Sequence, residues 1–206
     1  MAELVYAVDL KSAGSISMRV RVPPRAYLLL KFMLYTGNGD YGTTGLWGDG
    51  NRYEKDSPMF HALGSLDELN SFLGICKHKT SHRSIIKNLE KIQHHLFIIQ
   101  AELAGSNKQI LDTHIISMEV LIESIDDILP PITTFLLPGG TEISAYLDYG
   151  RTLARRAERD VIAVTRLKEI SQESKTYLNR LSTLLYALAR YMNYVHQATE
   201  TPPNYK

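Results

Sequence analysis

Residues 83–104 read R-S-I-I-K-N-L-E-K-I-Q-H-H-L-F-I-I-Q-A-E-L-A. Within them Ile85, Leu89, Ile92, Leu96, Ile99 and Leu103 recur at alternating spacings of four and three. A helix turns about 100° per residue, so this alternation lays one apolar stripe along one side, whereas a strand needs a period of two. Such a stripe is the seam of helices packed at a shallow crossing angle.

The same device repeats on both sides. Residues 58–79 carry Leu63, Leu66, Leu69, Phe72, Leu73 and Cys76; residues 113–129 carry Ile115, Met118, Ile122, Ile125 and Leu129. Residues 172–198 carry Leu178, Leu181, Leu185, Leu188, Met192 and Val195. A further helix is expected over 141–168, where Thr141 and Glu142 follow Pro138-Gly139-Gly140 as a start signal and Ile143, Leu147, Ala154, Val161 and Val164 share a face. The fold class is therefore all-α: five helices with short connections and no credible sheet, in an up-down bundle.

Ahead of the bundle lies a different texture, T-G-N-G-D-Y-G-T-T-G-L-W-G-D-G-N-R over residues 36–52. Glycines at 37, 39, 42, 45, 48 and 50 are incompatible with a helix or a regular strand. The spacing brushes against a phosphate-binding P-loop, but its lysine is missing and no strand precedes it. Two readings stay open from these residues alone. One is a flexible connection; the other is a concave anion site built from inward backbone N–H groups and threonine hydroxyls.

A second constellation sits inside the fourth helix, R-T-L-A-R-R-A-E-R at residues 151–159. Arg151, Arg155 and Arg159 recur every fourth residue and drift only about 80° around the axis. Three stacked guanidiniums repel unless a polyanion or carboxylates face them. Arginine forks suit phosphate oxygens; a solvated face partly neutralised by Glu158 and Asp160 is the plainer alternative. Asp67 and Asn70 flank the first stripe, and Asn179 and Arg180 are bracketed by leucines in the last; by themselves they read as surface decoration and a register device.

Several chemistries are excluded. No Glu-x-x-His or His-Glu-x-x-His occurs, so di-iron carboxylate and metalloprotease sites are disfavoured, and the one cysteine cannot build a thiolate zinc site. His78, His82, His94 and His95 are expected to be structural or exposed. The 206 residues suit one domain, and 23 basic against 22 acidic side chains leave a net charge of +1. That balance argues against a general nucleic-acid binder. Lone Cys76 fits a reducing compartment, and no apolar run approaches the roughly 20 residues of a membrane span. A soluble, cytoplasmic protein is expected. Residues 1–32 read as a peripheral extension; Glu3 and Asp9 count against a transit peptide, and Met33 offers an alternative start.

Four motifs stand in order: T-G-N-G-D-Y-G-T-T, H-A-L-G-S-L-D-E-L-N-S-F-L-G, F-L-L-P-G-G with R-T-L-A-R-R-A-E-R, and Y-L-N-R-L-S. Together they closely resemble the ATP:cob(I)alamin adenosyltransferases of the PduO type, over roughly residues 33–196. The domain is accordingly taken as 33–200. The resemblance implies a five-helix bundle preceded by a glycine-rich ATP loop, assembled as a homotrimer with active sites between subunits. It implies transfer of the 5′-deoxyadenosyl group of ATP to a reduced corrinoid, with release of triphosphate and Mg²⁺ bound mainly through the phosphates. A corrinoid reductase and an adenosylcobalamin-dependent enzyme are implied partners; nucleic acid and membrane are not.

Residue by residue, the resemblance assigns Thr36, Gly37, Asn38, Gly39, Asp40, Gly42, Thr43 and Thr44 to the ATP loop and Lys55 to a phosphate contact. It assigns Arg155, Arg156, Glu158 and Arg159 to ATP binding and Asn179 to the adenosine site. Asp67 and Arg151 match a salt bridge between subunits, and Phe135 matches an aromatic packed on the corrinoid's lower face. Gly37 stands where the family usually carries Lys or Arg, which removes one triphosphate contact unless Lys31 replaces it. Cobalt(I) is itself the nucleophile, so no Ser-His pair or general base is required; the protein orients the reactants and stabilises the leaving triphosphate. The alternative is a protein that binds and delivers adenosylcobalamin without turnover, and a ligand-free helical scaffold is the third reading.

Overall fold

The computed structural model describes residues 37–46 and 48–205. The extension 1–32, Lys31, Met33 and Thr36 lie outside the described residues. The chain divides into two units, Met1–Asp40 and Tyr41–Lys206. In the first, Gly37 takes φ 69° and the Asp40 N–H donates to the Gly37 carbonyl at 3.2 Å, closing a turn.

The second unit opens with a small hairpin and continues as five helices. Strand β1 (Thr43–Thr44) pairs antiparallel with β2 (Tyr53–Glu54), with Thr43 opposite Glu54 and Thr44 opposite Tyr53. This corrects the expectation of no sheet. Two-residue strands are too short to show a period, and Gly42, Gly48 and Gly50 supply the positive φ that lets the chain reverse. The helices are α1 (Pro58–His78), α2 (Arg83–Leu103), α3 (Asp112–Asp126), α4 (Glu142–Val164) and α5 (Gln172–Val195). Helix α4 packs on both α1 and α5, α2 packs on α1, and α3 packs on α5.

Most of the stripes read from sequence form the core, with Leu63, Phe72 and Ile122 at its edge and Val195 exposed. Leu66, Leu69, Leu73, Leu89, Leu96, Ile99, Leu103, Leu147, Leu178, Leu181 and Leu185 are all fully buried. Midway along α4 the buried Gly150, Ala154 and Ala157 are small, while Ile143, Leu147, Leu153, Val161 and Val164 fill the core on either side of them. Pro58 opens α1, where its missing N–H costs nothing. Thr141 and Ser171 cap α4 and α5 by accepting from Ser144 N and Ser174 N, each at 3.2 Å. Buried Glu102 adds to the second cap, accepting from Ser171 N at 2.8 Å and Ser174 Oγ at 2.5 Å. A carboxylate there sits at the positive end of α5.

Three boundaries differ from expectation. Helix α3 ends before Leu129, α4 before Lys168 and α5 before Ala198. At the last of these, Gln197 adopts φ 54° and turns the chain back on itself. The connection 127–141 is also long and irregular, because Pro130, Pro131 and Pro138 deny N–H donors and Gly139 and Gly140 adopt φ 128° and 102°.

Candidate functional site

The hairpin carries the first group of expected residues. Gly42 takes φ 80°, and its carbonyl accepts from Lys55 N at 2.9 Å, so Lys55 lies directly across from the Gly42–Thr44 segment. Arg52, which sequence reasoning missed, clamps the hairpin by donating to the Thr43 carbonyl at 2.7 Å and to Thr43 Oγ1 at 2.9 Å. Its signal was faint: one arginine in a glycine-rich loop has no periodicity to betray a partner. Gly37, Asn38, Gly39 and Asp40 belong to the first unit and form the turn described above.

The second group is built on α4. Arg151 Nε donates to Asp148 Oδ1 at 2.6 Å, and the Arg151 guanidinium lies 5.9 Å from the centre of the Tyr186 ring on α5. Arg156 is ion-paired with Glu68 of α1, and Asp160 accepts from Ser65 of α1. These two links cross an open cleft of about 490 Å³ that also exposes Phe60 and His61. Arg159 donates to the Arg155 carbonyl at 3.0 Å. Glu158 Oε1 accepts from Asn179 Nδ2 at 3.0 Å, and Asn179 Oδ1 accepts from Arg180 at 2.9 Å. The Glu158–Asn179 bond thus ties α4 to α5, a contact that spacing along either helix does not report.

Arg155 differs from its neighbours. It is exposed, and its guanidinium makes no ion pair or side-chain hydrogen bond with a described residue. Intramolecular carboxylates answer Arg151 and Arg156, while Arg155 and Arg159, with no ion pair to a described residue, stay available to an anion. Within one chain Asp67 is exposed and makes no ion pair with a described residue. Arg151 spends only Nε on Asp148, so its two terminal nitrogens keep donors for a further acceptor.

Phe135 sits in the connection 127–141 and is 80% exposed. The backbone around it is held by side chains that sequence reasoning passed over. Asn193, 5% exposed, donates to the Gly139 carbonyl at 3.0 Å and accepts from Thr141 N at 3.0 Å. Arg190, also buried, donates to the Pro130 carbonyl at 3.0 Å and to both carboxylate oxygens of Glu200. The one available signal was an arginine and an asparagine, three apart, in the otherwise apolar last turns of α5. Tyr186 lies close enough to Asp148, Arg151, Arg190 and Glu200 to feel all four charges; its phenol is raised, chiefly by burial.

The histidines behave as structural groups. His95 Nδ1 meets the Tyr177 hydroxyl at 2.9 Å and its ring stacks on His114 at 4.2 Å. Burial first, then the neighbouring His114, lowers its pKa to about 4.

The model of a family described as cobalamin adenosyltransferase matches residues 34–192. The corrinoid adenosyltransferase PduO of Citrobacter freundii is 39% identical over 164 residues, which are 76% of this chain and 49% of that protein. This chain thus spans about half the length of that relative. A second corrinoid adenosyltransferase of Citrobacter freundii is 38% identical over 166 residues, 77% of this chain and 94% of that one. Among solved structures, a variant PduO-type ATP:corrinoid adenosyltransferase from Lactobacillus reuteri, complexed with cobalamin and ATP, superposes with a TM-score of 0.80. It is 31% identical and covers 84% of this chain and 97% of its own.

Proposed function

Because the chain belongs to the cobalamin adenosyltransferase family, we propose that it transfers the 5′-deoxyadenosyl group of ATP to the cobalt of a reduced corrinoid. Cobalt(I) attacks the 5′ carbon with its own electron pair. The carbon–oxygen bond to the α-phosphate breaks, and its electron pair leaves on triphosphate. The work left to the protein is alignment of the two substrates and stabilisation of the charge that grows on the leaving group.

The single observation that carries this reading is the open end of the arginine row: Arg155 and Arg159 are exposed and make no ion pair with a described residue, whereas Arg151 is held by Asp148. Arg155 contacts the triphosphate, assisted by Arg156, Arg159, Lys55 and the Gly42–Thr44 segment, while Glu158 and Asn179 hold the adenosine. Among the described residues no three His, Cys, Asp or Glu side chains converge on a metal position. Mg²⁺ would enter with the phosphates of ATP and would supply charge neutralisation there. Phe135 packs against the lower face of the corrinoid. An apolar ring that displaces the axial ligand removes a donor that stabilised the higher oxidation state, so reduction to cobalt(I) becomes easier.

Residues 33–200 form the catalytic domain in this reading, and the site is completed between subunits of a homotrimer. The free terminal nitrogens of Arg151 receive Asp67 of a neighbouring subunit. Exposed Ile116, Val120 and Phe97 supply apolar surface for assembly. No described helix is long and apolar enough to cross a membrane, and a cytoplasmic enzyme served by a corrinoid reductase and handing product to a dependent enzyme fits the chemistry.

An anaerobic assay with Mg-ATP and chemically reduced cobalamin tests the proposal. Loss of cob(I)alamin absorbance with formation of a light-sensitive product is expected. A folded protein that retains corrinoid without consuming ATP would be a delivery protein instead, and one that binds neither ligand would be a scaffold.

A further inference from the structure

We propose that the segment after α5 clasps the connection 127–141 and thereby positions Phe135, with Glu200 as a positioning residue for the corrinoid half of the reaction. The inference rests on the function proposed above. Its starting point is that Phe135 cannot fix itself. The ring is 80% exposed, and the proline-rich backbone around it is held chiefly from outside the connection.

Two outside anchors bracket the ring. On one side the Pro130 carbonyl accepts from Arg190 at 3.0 Å. On the other, Leu137 N donates to the Thr201 carbonyl at 2.8 Å. Both depend on the returning segment. The reversal at Gln197 (φ 54°) and a bond from Ala198 N to the Asn193 carbonyl at 2.9 Å carry the chain back beside the connection. There Glu200 accepts from Arg190 Nε and its terminal nitrogen at 3.1–3.3 Å. Thr201 is the very next residue.

Arg190 is only 6% exposed. Without Glu200 it would be a buried cation with one carbonyl for company, and it would be drawn toward water, releasing Pro130. The same cluster reaches the arginine row, since Tyr186, whose ring centre lies 5.9 Å from the Arg151 guanidinium, is also within electrostatic reach of Arg190 and Glu200. Anchoring the corrinoid aromatic and the base of the ladder to one network would keep the two substrates in register, where a displacement of about 1 Å is worth up to a hundredfold in rate.

The test compares Glu200→Ala and Glu200→Gln with the unmodified full-length protein, and Arg190→Lys serves as a second variant should Glu200→Ala fail to fold. Amide hydrogen exchange across residues 132–137 should accelerate roughly tenfold in Glu200→Ala. In the assay, KM for reduced corrinoid should rise roughly tenfold or more while KM for ATP stays within about twofold. The four-coordinate fraction of cob(II)alamin bound with ATP should fall. Glu200→Gln, which keeps an acceptor for Arg190, should recover part of each change. A merely structural role would lower the melting temperature without splitting the two KM values. Unchanged exchange at Leu137, or wild-type corrinoid parameters in a folded Glu200→Ala, overturns the clasp. Absence of turnover in the unmodified protein strikes the proposed function itself, a result the exchange data cannot mimic.

Discussion

Two adjacent glycines allow one packing contact to be weighed against backbone strain alone. Gly139 and Gly140 adopt φ 128° and 102°, a region where any side chain is strained by about 1–3 kcal/mol. Space around them differs completely. A Cβ on Gly139 meets nothing within 4 Å, whereas one on Gly140 would lie 2.4 Å from Asn193 Oδ1, 2.7 Å from its Cγ and 2.8 Å from its Nδ2. Asn193 is 5% exposed and is held in place by its hydrogen bonds to Thr141 and Gly139. Moving it forfeits its bonds to Thr141 N and to the Gly139 carbonyl, each worth about 1 kcal/mol. Gly139→Ala should therefore cost about 1–3 kcal/mol and Gly140→Ala about 2 kcal/mol more. Against a total stability of about 5–15 kcal/mol, the second change is severe. Urea unfolding at one fixed subunit concentration would read the difference as a midpoint about 1 M lower for Gly140→Ala at an unchanged slope of about 2 kcal/mol per molar. Equal midpoints for the two variants would refute the claim that Asn193 is locked against Gly140.

Other consequences can be checked directly. Arg155→Ala should leave stability within about 0.5 kcal/mol, because the side chain is exposed and makes no ion pair with a described residue, and should cut adenosyl transfer by about a hundredfold or more; a wild-type rate would remove it from the triphosphate site. The Glu68–Arg156 pair, 51% and 44% exposed, should show a coupling below about 1 kcal/mol in a double-mutant cycle, and a larger value would mean the pair is shielded, as by a neighbouring subunit. His95 has a folded pKa of about 4, below the ordinary 6.5, so the unfolded chain binds the extra proton first. Its contribution is complete above about pH 6.5 and is lost as pH falls toward 4, by at most about 3 kcal/mol and less where water reaches the ring. Substituting Phe for His95 should flatten that part of the stability-versus-pH curve, and an unchanged slope would show that another group titrates.

What could be read from the residues differed sharply between regions. Helices show themselves because their stripes are local and repetitive, and α2 matches its expected residues on every core position from Ile85 to Leu103. The ladder Arg151–Arg155–Arg159 was equally visible for the same reason of spacing. The hairpin Thr43–Thr44 with Tyr53–Glu54 was not, since two residues carry no period and Arg52 declares its partner only through space. Asn193 and Arg190 were hidden for another reason. Their partners, Gly139 and Pro130, are far away in the chain, and periodicity reports the face of a helix but never what lies opposite it.

Taken alone, the order of residues determined the number of helices, their faces and the membership of the arginine row, because each depends on angles that recur every few residues. The ordered motifs also carried the family. Tertiary structure alone decided which arginines are neutralised internally, Arg151 by Asp148 and Arg156 by Glu68, and which, Arg155 and Arg159, have no ion pair with a described residue. It alone decided that the aromatic connection is pinned by the end of α5 and the residues beyond it. Charge pairing and anchoring are set by distance between side chains brought together from separate elements, and a linear pattern holds no record of that distance until the helices have packed.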